Sequence, residues 1–178
     1  MRYRIMFSNE VTTAMFDDGN HGDGGANDGV YGATIPANLS TNGQMIRYLV
    51  AATDVNTNAS RWPLFTNPTN TAEYLGTIVD PTNVTSKLPI IHLFAPPTVL
   101  QPGPPTSQIG ADSESGGRVA VFYDGEFYDN VYMELRGNTS ANQQKKSHRL
   151  EFNREHTFRH LPEFPRVRKT SFMVAWDG

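Results

Sequence analysis

The sequence predicts a mainly β protein, α+β at most, built from short antiparallel strands. Apolar and polar residues alternate over residues 2–7, 44–53 and 131–136, which is the period of a strand that buries one face. Glycine, proline and asparagine fill the connections, and Asp124-Gly125 between two alternating segments is typical of a tight hairpin turn. Strand periodicity and turn chemistry therefore indicate the same fold class.

Residues 1–66 are predicted to form a partial antiparallel β-sandwich. Four short strands are expected there, at residues 2–7, 14–17, 30–36 and 44–53. A complete immunoglobulin-type sandwich has roughly seven strands, so this module needs further strands to cover its apolar face. Residues 67–83 are interpreted as a connection to the second half of the chain.

The stretch DDGNHGDGGANDG at residues 17–29 alternates carboxylates and amides with glycines. Calcium binds several oxygens that converge from a flexible loop. The candidate metal ligands are Asp17, Asp18, Asn20, Asp23, Asn27 and Asp28. The spacing and closing glutamate of an EF-hand are missing, so the alternative is a turn-forming connection whose Asx side chains cap their own backbone.

Residues 131–153, VYMELRGNTSANQQKKSHRLEFN, combine two alternating segments, predicted to pair as strands, with a polar connection. Gly137 can adopt backbone angles closed to other residues, which would present free backbone N–H groups at the end of the first strand. Arg136 and Lys145 or Lys146 can then meet an anion from two sides. An ordinary solvated hairpin with basic residues on its exposed face is the alternative that spacing alone leaves open.

The segments FYDGEFYDNVYMELRGNTS and KKSHRLEFN resemble the spore coat protein H (CotH) kinase-like family, in which an RGNS-like turn precedes a KKS strand. The chain looks most like large secreted members from environmental bacteria, in which β-rich modules precede the kinase-like part. The acidic loop is similar to the DDG-x-HGDG-x-x-x-DGVY-x-x-x-IP signature of those modules. The resemblance implies an atypical protein-kinase-like fold that binds ATP with magnesium and phosphorylates serine and threonine of proteins.

The same resemblance implies that residues 84–178 form a β-rich kinase-like N-terminal lobe. Its nucleotide-binding positions would be Arg136, Gly137, Ser140, Lys146 and Ser147, with Lys146 contacting the phosphates. Kinase chemistry also needs an aspartate that orients the hydroxyl and acidic or amide ligands for magnesium. The family supplies these from a C-terminal lobe after a segment like SFMVAWDG, so we expect a truncated fragment whose catalytic residues are unknown.

Composition is that of a globular chain, with 38% hydrophobic and 19% charged residues. The absence of cysteine excludes disulfides, and no apolar run approaches the roughly 20 residues of a membrane helix, so no membrane partner is expected. An alternating strand begins at Arg2 without a preceding secretory apolar segment, so no signal peptide is expected. An extracellular or cell-surface location of the parent protein follows from the resemblance.

The net charge of −3 conceals a basic stretch, since residues 136–169 hold nine Lys or Arg against three Glu, a net charge of +6. Nucleotide phosphates or an acidic glycan are possible partners, and no nucleic-acid motif is present. A secreted β-module that grips an acidic glycan or surface polymer is the second functional reading. A small hydrolase or metal-dependent enzyme with an unrecognised site is the third. The pair His156 and His160, a weak metal-binding motif, belongs to this third reading. Exposed sheet edges favour self-association.

Overall fold

The computed structural model describes residues 1–64, 73–79, 86, 88–97, 99, 116–136 and 147–172. Within these residues, two five-stranded antiparallel sheets and one short 3-10 turn make up the regular structure. The predicted mainly β class is therefore confirmed. Unit 1 comprises Met1–Leu64 and Tyr74–Leu88, and unit 2 comprises Phe65–Glu73 and Pro89–Gly178.

The sheet of unit 1 is organised around one long strand. Its strands are β1 (Arg2–Ile5), β2 (Val11–Thr12), β3 (Met45–Thr53), β4 (Ala59–Trp62) and β5 (Leu75–Ile78). Strand β3 pairs with β1 on one side, with β4 along its second half and with β5 along its first half. Met45, Arg47 and Leu49 are buried on one face of β3, as the alternation of its sequence predicts.

Two of the four strand predictions for unit 1 are wrong. Residues 14–17 and 30–36 contribute only an isolated bridge between Phe16 and Gly32, and a 3-10 turn at Ala37–Leu39 follows. Carboxylates in the loop between them accept backbone N–H bonds that a strand ladder would otherwise use. Strand β4 was missed because it lies in an Asn/Thr-rich connection and is mostly exposed, so it lacks a clear apolar alternation.

The sheet of unit 2 consists of β6 (Ile91–Phe94), β7 (Gly117–Tyr123), β8 (Glu126–Arg136), β9 (Ser147–Glu151) and β10 (Lys169–Phe172). Its strand order is β10-β9-β8-β7-β6. Asp124 and Gly125 both have positive φ, which confirms the tight turn between β7 and β8. The predicted pairing of β8 with β9 is also confirmed. Strand β6 is the outermost strand of the described sheet, and Leu93 on it is 40% exposed.

A β-bulge in β8 aligns the core of unit 2. Val119 lies opposite Val131, whereas Val121 lies opposite Tyr128, so β8 contains one more residue than β7 between these pairs. The extra residue turns both Tyr128 and Val131 toward the core, although they are three positions apart. The core cluster consists of Val119, Val121, Tyr123, Tyr128, Val131, Met133, Leu150, Phe152 and Phe158.

Within the described ranges, no helix has the length and hydrophobicity needed to cross a membrane.

Candidate functional site

The predicted nucleotide site lies at one end of the β8–β9 pair. Arg136, the last residue of β8, is exposed and pairs in register with Ser147, the first residue of β9. Ser147 is nearly buried. Gly137, Ser140 and Lys146 lie outside the described residues. The structure thus places the first residue of the RGNTS segment beside the last residue of the KKS segment. The nucleotide site stays a prediction.

The acidic loop of unit 1 uses its carboxylates as backbone acceptors. Asp23 is fully buried and accepts N–H bonds from Asp18, Gly19 and His21 at 2.5, 3.0 and 3.1 Å. Burial opposes the ionised form, but these N–H bonds outweigh it and lower the pKa of Asp23. Asp17 accepts the N–H groups of residues 28 and 29 at 3.0 Å.

These bonds form the Asx-capped turns that were the alternative interpretation of the loop. Asn20 donates its side-chain amide to the carbonyl of Asp18, and Asp28 accepts from the backbone of residues 25 and 30. Asn27 adopts a left-handed backbone conformation, with φ of 61°. Among the described residues, no group of three or more His, Asp or Glu side chains is arranged to hold a metal ion. Calcium at this loop stays a prediction.

A row of polar side chains crosses four adjacent strands of unit 2. Arg118 of β7 lies opposite Tyr132 of β8, and Tyr132 lies opposite Glu151 of β9. Glu151 in turn lies opposite Lys169 of β10. Neighbouring side chains close the row into a cleft of about 190 Å³, here called the arginine cleft, which is lined by Arg118, Tyr132, Glu151, Phe152, Asn153, Arg154 and Arg168.

The cationic side chains of the arginine cleft differ in how firmly they are held. Arg118 donates to the carbonyl of Asn130 at 3.0 Å and stacks over the Tyr132 ring at 5.2 Å. Arg168 and Lys169 both form ion pairs with Glu151. Arg154 is exposed and forms no ion pair or hydrogen bond with another described residue. The cleft therefore combines a fixed guanidinium with one at its rim that is available to a ligand.

A buried carboxyl group supports the wall of the cleft. Asn153 donates its amide to Glu73, which is 1% exposed, and accepts the backbone N–H of Glu155 at 2.9 Å. Burial raises the pKa of Glu73 to about 7, and the negative charges of Asp129 and Glu155 add to the shift. Glu73 is therefore largely protonated below neutral pH, and Asn153 is held from both ends of its amide.

The two histidines of the weak metal motif have separate environments. His156 bonds the Glu126 carboxylate at 2.8 Å through Nε2 and stacks on Tyr128, with ring centroids 4.7 Å apart. His160 stacks against the ring of Tyr123. Arg166 completes the surroundings of Glu126 with bonds of 2.8 and 3.0 Å. Through these contacts, His156 holds the segment of residues 153–168 against Glu126 and Tyr128.

Sequence reasoning identified the basic character of residues 136–169 but missed the residues that share the cleft. Arg118 and Tyr132 belong to adjacent strands whose register is shifted by the bulge, so their juxtaposition is not readable from spacing. Glu73 lies in the predicted connection, far in sequence from Asn153. The only sequence signal for the cleft was the polar face of three strands in which apolar and polar residues alternate.

Comparison with protein-family models matches the first part of the chain. Residues 4–53, which include the second half of β1 and all of β2 and β3, match the family model described as the conditioned medium factor second Ig-like domain. No significant match was found among curated proteins or among solved structures. The match supports an immunoglobulin-like β-module in the first part of the chain, in agreement with the predicted sandwich type for that region.

Proposed function

We propose that unit 2 is a β-rich lobe of the CotH kinase-like type that binds the phosphate groups of ATP at the end of the β8–β9 pair. The observation that carries this proposal is the register of Arg136 with Ser147, because it joins the RGNTS and KKS segments at one sheet end. An exposed arginine there supplies a planar fork for a phosphate group. The proposal concerns binding, since the resemblance assigns the catalytic aspartate and magnesium ligands to a C-terminal lobe.

Thermal unfolding with and without Mg-ATP tests the proposal. Nucleotide at a hundred times its Kd would stabilise the fold by about 2.7 kcal/mol, which corresponds to a rise in Tm of roughly 5–10 °C for a chain of this size. Lys146→Ala is expected to abolish this rise, because Lys146 is the assigned phosphate contact. Lys145→Ala removes the same charge one position earlier and serves as the control.

The outcomes separate specific from diffuse binding. A Tm rise that survives in Lys145→Ala and disappears in Lys146→Ala supports the assignment. Equal loss in both variants would indicate general charge attraction and would remove Lys146 from the site. A wild-type chain that shows no response to Mg-ATP would overturn the nucleotide proposal.

A further inference from the structure

We propose that the arginine cleft binds a carboxylated sugar residue of an acidic polysaccharide, at a site separate from the proposed nucleotide site. The Tyr132–Glu151 pair in the cleft lies four residues along each strand from the Arg136–Ser147 pair. Four residues of a β-strand span roughly 13 Å, so the two sites occupy different positions on the same sheet. This inference goes beyond the proposed function and does not depend on it.

The charge of the cleft favours a single carboxylate. Arg118, Arg154 and Arg168 line it, and one carboxylate, Glu151, is already shared by Arg168 and Lys169. Arg154 has no described partner, so its guanidinium is available to form paired hydrogen bonds with a ligand carboxylate. Glu151 would repel a phosphate dianion more strongly than a monovalent carboxylate, so the cleft is better suited to a uronic acid.

The remaining lining matches the other groups of a sugar. Glu151 is one-quarter exposed and offers acceptor oxygens to hydroxyls, while Asn153 is fixed by Glu73 and the Glu155 backbone. The Tyr132 ring contributes apolar surface beside these polar groups. Arg118 is immobilised on the Tyr132 ring, so little side-chain entropy is lost when it contacts a ligand.

The size of the cleft limits the ligand. Its volume of about 190 Å³ is smaller than the roughly 300–1,000 Å³ of pockets that bury drug-sized molecules. A single sugar residue of a longer chain therefore fits this space better than a whole nucleotide. Arg154 is exposed at the rim, so it can also contact the adjoining sugar residue of a polymer.

Isothermal titration of the full chain with a galacturonic acid trimer tests the proposal, with the neutral galactose trimer as the ligand control. Binding of the acidic trimer is expected, and Arg154→Gln should weaken it about tenfold, because one charge-assisted contact is lost. Arg159→Gln is the matched variant: it removes the same charge outside the cleft, where the Arg159 guanidinium lies 3.8 Å from the Glu126 carboxylate. Its affinity should equal that of the wild-type chain.

Three results would overturn the proposal. The first is no heat of binding for the acidic trimer, and the second is equal binding of the neutral trimer. The third is equal weakening by Arg154→Gln and Arg159→Gln, which would assign binding to overall charge rather than to the cleft. Lys146→Ala is expected to keep uronate binding, so failure of the nucleotide proposal and failure of this one are distinguishable.

Discussion

Glu73 links the protonation state of unit 2 to its stability. Its carboxyl is buried and bonded to Asn153, and burial raises its pKa to about 7 from an ordinary value of 4.5. Between pH 4.5 and about pH 7, Glu73 holds a proton in the folded chain that it has released in the unfolded chain. The free energy of unfolding therefore declines as pH rises through this window and levels off above about pH 7.

Replacing Glu73 with glutamine is expected to remove this pH dependence. Glutamine is neutral, nearly isosteric and keeps an oxygen that accepts from Asn153, so it reproduces the protonated carboxyl. Thermal unfolding at about pH 5 and about pH 8 should show a smaller loss of Tm in Glu73→Gln than in the wild-type chain. Glu163→Gln, at an exposed position of unit 2, is the control. Identical pH slopes in Glu73→Gln and wild type would contradict the shift.

The pKa of Glu126 shifts in the opposite direction to that of Glu73. Burial alone would raise the pKa of Glu126, but hydrogen bonds from Arg166, Tyr128 and His156 outweigh it and lower the pKa to about 2. Its contribution to stability is present above pH 4.5 and is lost as pH falls toward 2. Two glutamates of one unit thus respond to pH with opposite sign, because burial dominates at Glu73, whereas hydrogen bonds, led by that from Arg166, dominate at Glu126.

The β8 bulge is the element that aligns both the core and the arginine cleft. Asn130 adopts a left-handed conformation with φ of 55°, and its buried side-chain amide forms no hydrogen bond with another described residue. We expect Asn130→Gly to keep or raise stability, because glycine adopts this conformation without a Cβ clash and removes the unpaired amide. Asn130→Val should lower stability by about 1–2 kcal/mol, since a branched side chain is strained there.

Urea unfolding of the two Asn130 variants measures these effects directly. A valine variant as stable as the glycine variant would show that the positive φ is not required for the fold. Retention of uronate binding in Asn130→Gly but not in Asn130→Val would additionally show that the bulge aligns Tyr132 with Arg118.

Sequence patterns predicted the elements whose signals are local and missed those that depend on pairing. The alternation in β3 and β8 and the Asp124-Gly125 turn were readable because each uses a short run of residues. Strand β4 was not readable because exposed residues carry no periodicity. The arginine cleft was hidden for another reason: a register shift of one residue would place Tyr132 on the opposite face, and sequence does not specify that register.

At the scale of the whole molecule, the two units differ in their similarity to known proteins and in their charged segments. Unit 1 contains the matched Ig-like segment and an acidic loop stabilised by its own backbone. Unit 2 contains the basic stretch of residues 136–169, whose net charge of +6 contrasts with a chain that is negative as a whole. Such a local excess of positive charge attracts anionic ligands to this stretch, although the molecule as a whole is acidic.

The outer strand of unit 2 is where we expect self-association. Strand β6 ends the described sheet, and Leu93 on it is 40% exposed, a combination that favours pairing with another chain. The wild-type sedimentation coefficient is expected to rise with concentration, and Leu93→Lys should suppress that rise, because a lysine on an edge strand disfavours edge pairing. Val55→Lys adds the same charge at a residue that is 98% exposed outside any strand, and it should behave like wild type. Equal suppression by both variants would attribute the effect to charge and would exclude β6 as the contact.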